Sequence, residues 1–171
     1  MKFKIFLLLT FFSLPLLAQN ISIREEEAEI EFLFIDDDVD GRLSGFRFTG
    51  EIDSETIQNS TFSGSVEAKS IDTDNWLRDR FLRGGKYFDS KKYPLISFSS
   101  NSISGNAPEF RVAGTLTMKG IEREIVFNFK EIEGTFVGEA HINAAFWDIN
   151  VHRDDARNMV SVRITLPYFN K

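Results

Sequence analysis

The chain has 171 residues, with 20 basic against 26 acidic for a formal charge of −6, 18 phenylalanines and no cysteine. That length gives room for one sizeable domain and not comfortably two, and the acidity argues against nucleic acid and anionic membrane surfaces as partners. Without cysteine no disulfide can brace the fold, so the core must carry stability alone.

Residues 1–18 read as a secretory signal peptide. Lys2 and Lys4 precede an apolar run from Ile5 to Leu17, and Ala18 is a small residue at the expected cut. The run is too short to span a bilayer as a helix, and no cysteine follows that could carry a lipoprotein anchor. The expected mature chain, residues 19–171, keeps 18 basic and 26 acidic residues once Lys2 and Lys4 are gone, a charge of −8. Its expected location is the periplasm or the exterior.

Within it, residues 28–35 alternate Ile30, Phe32 and Phe34 with Glu29, Glu31 and Leu33, the period of a strand. The acidic run Asp36-Asp37-Asp38-Val39-Asp40-Gly41 follows. Phe46, Phe48, Gly50 and Ile52 mark a second strand, and Phe62, Gly64, Val66 and Ala68 a third. A short helix is expected next. Asp72, Thr73 and Asp74 offer capping oxygens, Trp76, Leu77, Phe81 and Leu82 form one broad apolar side, and Gly84-Gly85 ends it. Asp74/Arg78 and Asp79/Arg83 stand four apart and can pair on its surface. Pro94 holds Tyr93 extended, and residues 95–100 resume a strand. Phe110, Val112, Gly114, Leu116 and Met118 alternate as the fifth strand; Ile125, Phe127 and Phe129 share one face of the sixth. Phe136, Gly138, Ala140 and Ile142 mark the seventh, and Val160, Val162, Ile164 and Leu166 the last.

The expected fold is therefore all-β with one short helix: an antiparallel eight-stranded sandwich or barrel, strands five to seven forming a meander. An eight-stranded barrel either fills with its own side chains or holds one small ligand. Phenylalanine abundance fits both outcomes. Gly50, Gly64, Gly114 and Gly138 lie inside strands, which indicates sharp coiling of the sheet or space for something bound.

Several linked motifs carry a resemblance. Ser70-Ile71-Asp72-Thr73-Asp74-Asn75, Arg78-Asp79, Tyr87-Phe88-Asp89, Tyr93-Pro94-x-Ile96-x-Phe98-x-Ser100 and Gly114-x-Leu116-Thr117-Met118-Lys119-Gly120 occur in order, with Val39-Asp40-Gly41 upstream. In order and spacing they resemble the YceI-like proteins over nearly all of residues 19–171. The resemblance implies an extended lipocalin-like β-barrel with a helix, exported from bacteria and holding a long isoprenoid chain. Phe81 stands where that family usually has histidine. The stretch Ala144-Ala145-Phe146-Trp147-Asp148-Ile149 lacks the arginine and glycine of the family's Arg-x-Asp-Phe-Gly-Ile segment.

The expected cavity lining is Phe62, Val66, Phe98, Val112, Leu116, Phe127 and Phe129, with Trp76 and Phe81 on the helix side and Trp147 near the mouth. Arg78 and Asp79 read either as anchors of the helix to its loops or as a charged rim for a head group. Asp36-x-Asp38-x-Asp40-Gly41 matches half a calcium loop, but its twelfth position is Arg47 rather than glutamate, which favours a solvated acidic connection. His141 and His152 fit no zinc spacing. No serine lies in a nucleophile elbow. The expected function is a carrier of an apolar ligand, with no catalytic residue, cofactor or metal. A ligand-free module with an aromatic-filled core is the alternative, and a hydrolase or isomerase on a hydrophobic substrate a weaker one. A homodimer is left open.

Overall fold

A computed structural model describes residues 20–170; the expected signal peptide lies outside the described residues. Among the described residues eleven strands form one antiparallel sheet. They are β1 (Asn20–Ile23), β2 (Glu29–Phe34), β3 (Val39–Leu43), β4 (Arg47–Phe48), β5 (Ile52–Asp53), β6 (Ser63–Glu67), β7 (Leu95–Asn106), β8 (Glu109–Met118), β9 (Ile121–Ile132), β10 (Thr135–Asn143) and β11 (Met159–Asn170). Helix α1 (Trp76–Leu82) lies between β6 and β7. All eight expected strands are present, and β8, β9 and β10 form the expected meander. The higher count has local causes. The expected second strand is split into β4 and β5, and β3 is concealed in the acidic run because Asp40 and Arg42 face outward. β1 is too short to show a period. β7 continues past Ser100 through a polar stretch with a register shift between Ser100 and Ser102.

The pairing path runs β3-β2-β11-β10-β9-β8-β7-β6-β4. Its two ends curl towards each other, since Leu43 of β3 and Phe48 of β4 face the same interior as Phe127 of β9. At one end of the barrel β1 closes the gap by pairing with both β11 and β5. At the other end α1 and its loops lie beside β3: Arg42 bridges Asp72 through the backbone, and its guanidinium donates to the Asp72 and Asp74 carboxylates at 2.9 and 3.0 Å.

Two cores divide the interior. One, near β1 and β5, is aromatic. Phe110 stacks on Phe129 at 5.4 Å, Phe136 on Tyr168 at 4.7 Å, and Phe62 packs against Phe110, Phe129 and Phe136. Tyr168 donates its hydroxyl to Glu131; burial first and this bond second push its pKa up to about 12. The other core is aliphatic, with Ile30, Val66, Ile96, Leu116, Met118, Ile142 and Val160.

Two glycines of the sheet leave space for rings. Gly138 pairs with Phe129 across the β9–β10 ladder, and a Cβ there would lie 2.5 Å from the Phe129 ring. Gly41 stands opposite Phe32 in the same way, at 2.3 Å. In both places the aromatic lies flat on backbone that any side chain would displace.

Helix α1 reverses its expected orientation. Asn75 caps it, accepting the Arg78 N–H at 3.1 Å, instead of Asp72, Thr73 or Asp74. Asp79, only 5% exposed, points inward and accepts the Thr73 N–H and hydroxyl at 3.0 and 2.6 Å. Arg78 donates to the Thr73 hydroxyl and carbonyl, and Arg83 to the Ile71 carbonyl. Asp74 pairs with Arg42, so these tertiary partners replace the expected pairs along the helix. With the polar side held inward, Trp76, Leu77 and Phe81 are 74%, 46% and 62% exposed.

Candidate functional site

Inward phases of nine strands converge on one cavity of about 140 Å³, with Leu43 of β3 and Phe48 of β4 among them. β2 supplies Ile30 and Phe34, β6 Val66, β7 Ile96 and Phe98, β8 Leu116 and Met118, β9 Phe127 and Phe129, β10 Ile142, and β11 Val160, Val162 and Ile164. Phe62, just before β6, and Phe88, in the loop after α1, also line it. Its polar lining residues are Glu31, Ser63, Ser65 and Ser97, and Glu31 is exposed to solvent. Such a lining solvates hydrocarbon and brings no acid, base and nucleophile together.

A second, larger space of about 690 Å³ lies outside, between α1 and the β2–β3 hairpin. Leu77, Arg78, Phe81, Leu82, Lys86 and Tyr87 form one wall, with Asp37, Val39 and Val151 among the residues facing them. Phe32 and Phe34 line both spaces. These two rings are therefore the partition between the groove and the interior.

Of the expected lining, Phe62, Val66, Phe98, Leu116, Phe127 and Phe129 come together around the cavity. Four residues do not. Val112 is fully buried in the aromatic core, behind the lining. Trp147 is 1% exposed, and its indole N–H donates to the Leu116 carbonyl at 3.2 Å, so it is core and not mouth. Trp76 and Phe81 are on the surface; Phe81 reaches the outer groove and Trp76 lines neither space. Arg78 lines the groove but is held by Thr73, and Asp79 is buried, so neither is a free rim charge. Phe32, Phe34 and Val160 were legible as lining from their strand phases. Phe88 was not, because a loop residue carries no period.

The hairpin wall is tied down by an ion pair and a side-chain hydrogen bond. Asp36 meets Arg157 and Asp37 meets His152, both at 2.8 Å, so two carboxylates of the aspartate run are engaged with protein partners. Among the described residues no cluster of three or more His, Asp or Glu is arranged to hold a metal ion. Asp72 is held below the usual carboxylate range, first by the Asp74 N–H and then by Arg42.

A curled antiparallel sheet around one apolar cavity, with a helix beside its opening, defines a lipocalin-like β-barrel. Within that class the chain belongs to the YceI-like family, whose domain model matches residues 22–168. A curated relative from Photorhabdus laumondii, a UPF0312 protein, is 31% identical over 88 residues, covering 52% of this chain and 46% of its own. A UPF0312 protein from Vibrio campbellii is 30% identical over 102 residues, 58% of this chain and 51% of the relative. These alignments span about half the length of the curated relatives. Among solved structures, Burkholderia cenocepacia BcnA superposes with a TM-score of 0.75 at 17% identity, covering 85% of this chain and 98% of that one. A domain from Saccharophagus degradans, described as polyisoprenoid binding and implicated in plant cell wall breakdown, gives 0.59 at 14% identity, over 88% and 98%.

Proposed function

We propose that this protein is an exported, non-enzymatic carrier of an apolar chain of the isoprenoid type. The observation that carries the reading is the hydrocarbon-lined cavity, parted only by the Phe32 and Phe34 rings from an apolar groove. The polyisoprenoid-binding description of the Saccharophagus domain supports the ligand class.

Volume refines it. A cavity near 140 Å³ is the size that takes one benzene-like body. About six buried carbons at ~0.8 kcal/mol each give roughly 5 kcal/mol gross, which the cost of ordering a ligand largely cancels. The end of the chain therefore sits inside, and the rest lies along the groove, where most of the contact is made. The aromatic core favours a second reading, a ligand-free module, because it fills the barrel's other end.

Solvent extraction of the purified protein, followed by mass spectrometry, separates the two. An apolar chain is expected in stoichiometric amount. Val66→Phe, which fills the cavity with a larger apolar ring, is expected to reduce its recovery about tenfold or more while the fold is kept. Extracts empty of apolar molecules would leave the ligand-free reading standing, and undiminished recovery from Val66→Phe would remove the cavity as the binding site. Export is tested separately: the N-terminus of the mature protein should lie near Gln19, and a product retaining Phe3 to Leu17 would refute it.

A further inference from the structure

We propose that the exposed face of α1 is a docking surface for an anionic lipid bilayer. Helix geometry places Trp76, Arg80, Leu77 and Phe81 on one arc of about 140°, and all four are exposed. A short helix in a folded domain ordinarily turns such side chains inward. Here the buried Asp79 and its bonds to Thr73 hold the opposite side down. The protein thus presents an indole, a leucine and a phenyl ring to the outside, the residues that settle at the water–lipid boundary.

Charge selects the partner. Between positions 76 and 92 the chain has six basic residues and two acidic ones, against 20 and 26 for the whole. The loop after α1 folds back on its end through Phe88 N–H to Leu82 carbonyl and Ser90 N–H to Arg83 carbonyl bonds, keeping these cations beside the helix. Net acidity therefore does not decide the matter, because at physiological salt a surface feels charges within about 8 Å. The hairpin across the groove carries the opposite sign, so only the helix wall faces the lipid and the hairpin is turned away. The apolar face borders the groove that only Phe32 and Phe34 part from the cavity, which suits an apolar cargo moving between bilayer and barrel. That purpose rests on the carrier reading; the surface itself does not.

The test is co-sedimentation of the purified mature protein, residues 19–171, with vesicles of phosphatidylcholine alone or with 30 mol% phosphatidylglycerol, no cargo added. Binding to the anionic vesicles is expected, at least tenfold stronger than to neutral ones, and weakened by 0.5 M salt. Trp76→Ser/Leu77→Ser/Phe81→Ser should lose ~tenfold or more, and Arg80→Glu/Lys91→Glu should abolish the preference for anionic lipid. Both alter solvent-facing positions, so unchanged circular dichroism is expected. No binding at low salt, or equal binding by the triple variant, overturns the proposal. A dimer broken by the triple substitution, without vesicle binding, overturns it in favour of a second copy on this face. Either result leaves the extraction experiment, and hence the carrier reading, untouched.

Discussion

Alanine in place of Trp147 is expected to lower the unfolding free energy by about 3–5 kcal/mol. The side chain is 1% exposed and packed in the aliphatic core with Leu116, Ile142 and Ile149. Truncation leaves a cavity and takes the indole N–H from the Leu116 carbonyl, which it meets at 3.2 Å. Trp147→Phe keeps most of the apolar area and loses the hydrogen bond, so its cost should be smaller, about 1–3 kcal/mol. Urea unfolding with unchanged m-values measures both. A mouth residue would behave oppositely, changing ligand selection at little cost in stability. A loss below about 1 kcal/mol for the alanine variant would therefore contradict the core assignment.

Phe62→Ala is expected to alter both stability and ligand length. Phe62 lines the cavity on one side and touches Phe110, Phe129 and Phe136 on the other, with centroids 5.2 to 5.8 Å apart. It is the floor that separates the cavity from the aromatic core. Removing its ring should cost about 3–5 kcal/mol and deepen the cavity towards Phe110 and Phe136. Each further CH₂ that enters is then worth ~0.8 kcal/mol, about fourfold in affinity. Competition among apolar chains of graded length should show the optimum moving to longer chains in the variant. An optimum that stays in place would mean the ring limits nothing. The same series with varied head groups tests the groove separately, because Phe81 lies there and not in the cavity.

Much of this molecule was legible in its sequence because a sheet writes its faces at a period of two. Phe110, Val112, Leu116 and Met118 alternate, and all four are buried. The inward phase could be read; depth along the barrel could not. Val112 and Leu116 share a phase, yet one lies in the aromatic core and the other lines the cavity. That difference depends on how far along the barrel each strand position falls, and register with distant partners sets it.

The helix shows the same limit more sharply. Its sequence places a short helix over the stretch that holds Trp76 and Leu82, though with the wrong cap, and shows that Trp76, Leu77 and Phe81 share a side. Local pattern has no means of saying which side faces in. Thr73, Asp79 and Arg78 settle that by burying a satisfied hydrogen-bond network under the helix, at the expense of exposing its apolar face. Composition, strand phases and linked motifs determined an antiparallel barrel of a recognisable kind. Which rings became floor, partition or outer surface was decided only by tertiary structure, because burial belongs to the meeting of distant segments and not to any one of them.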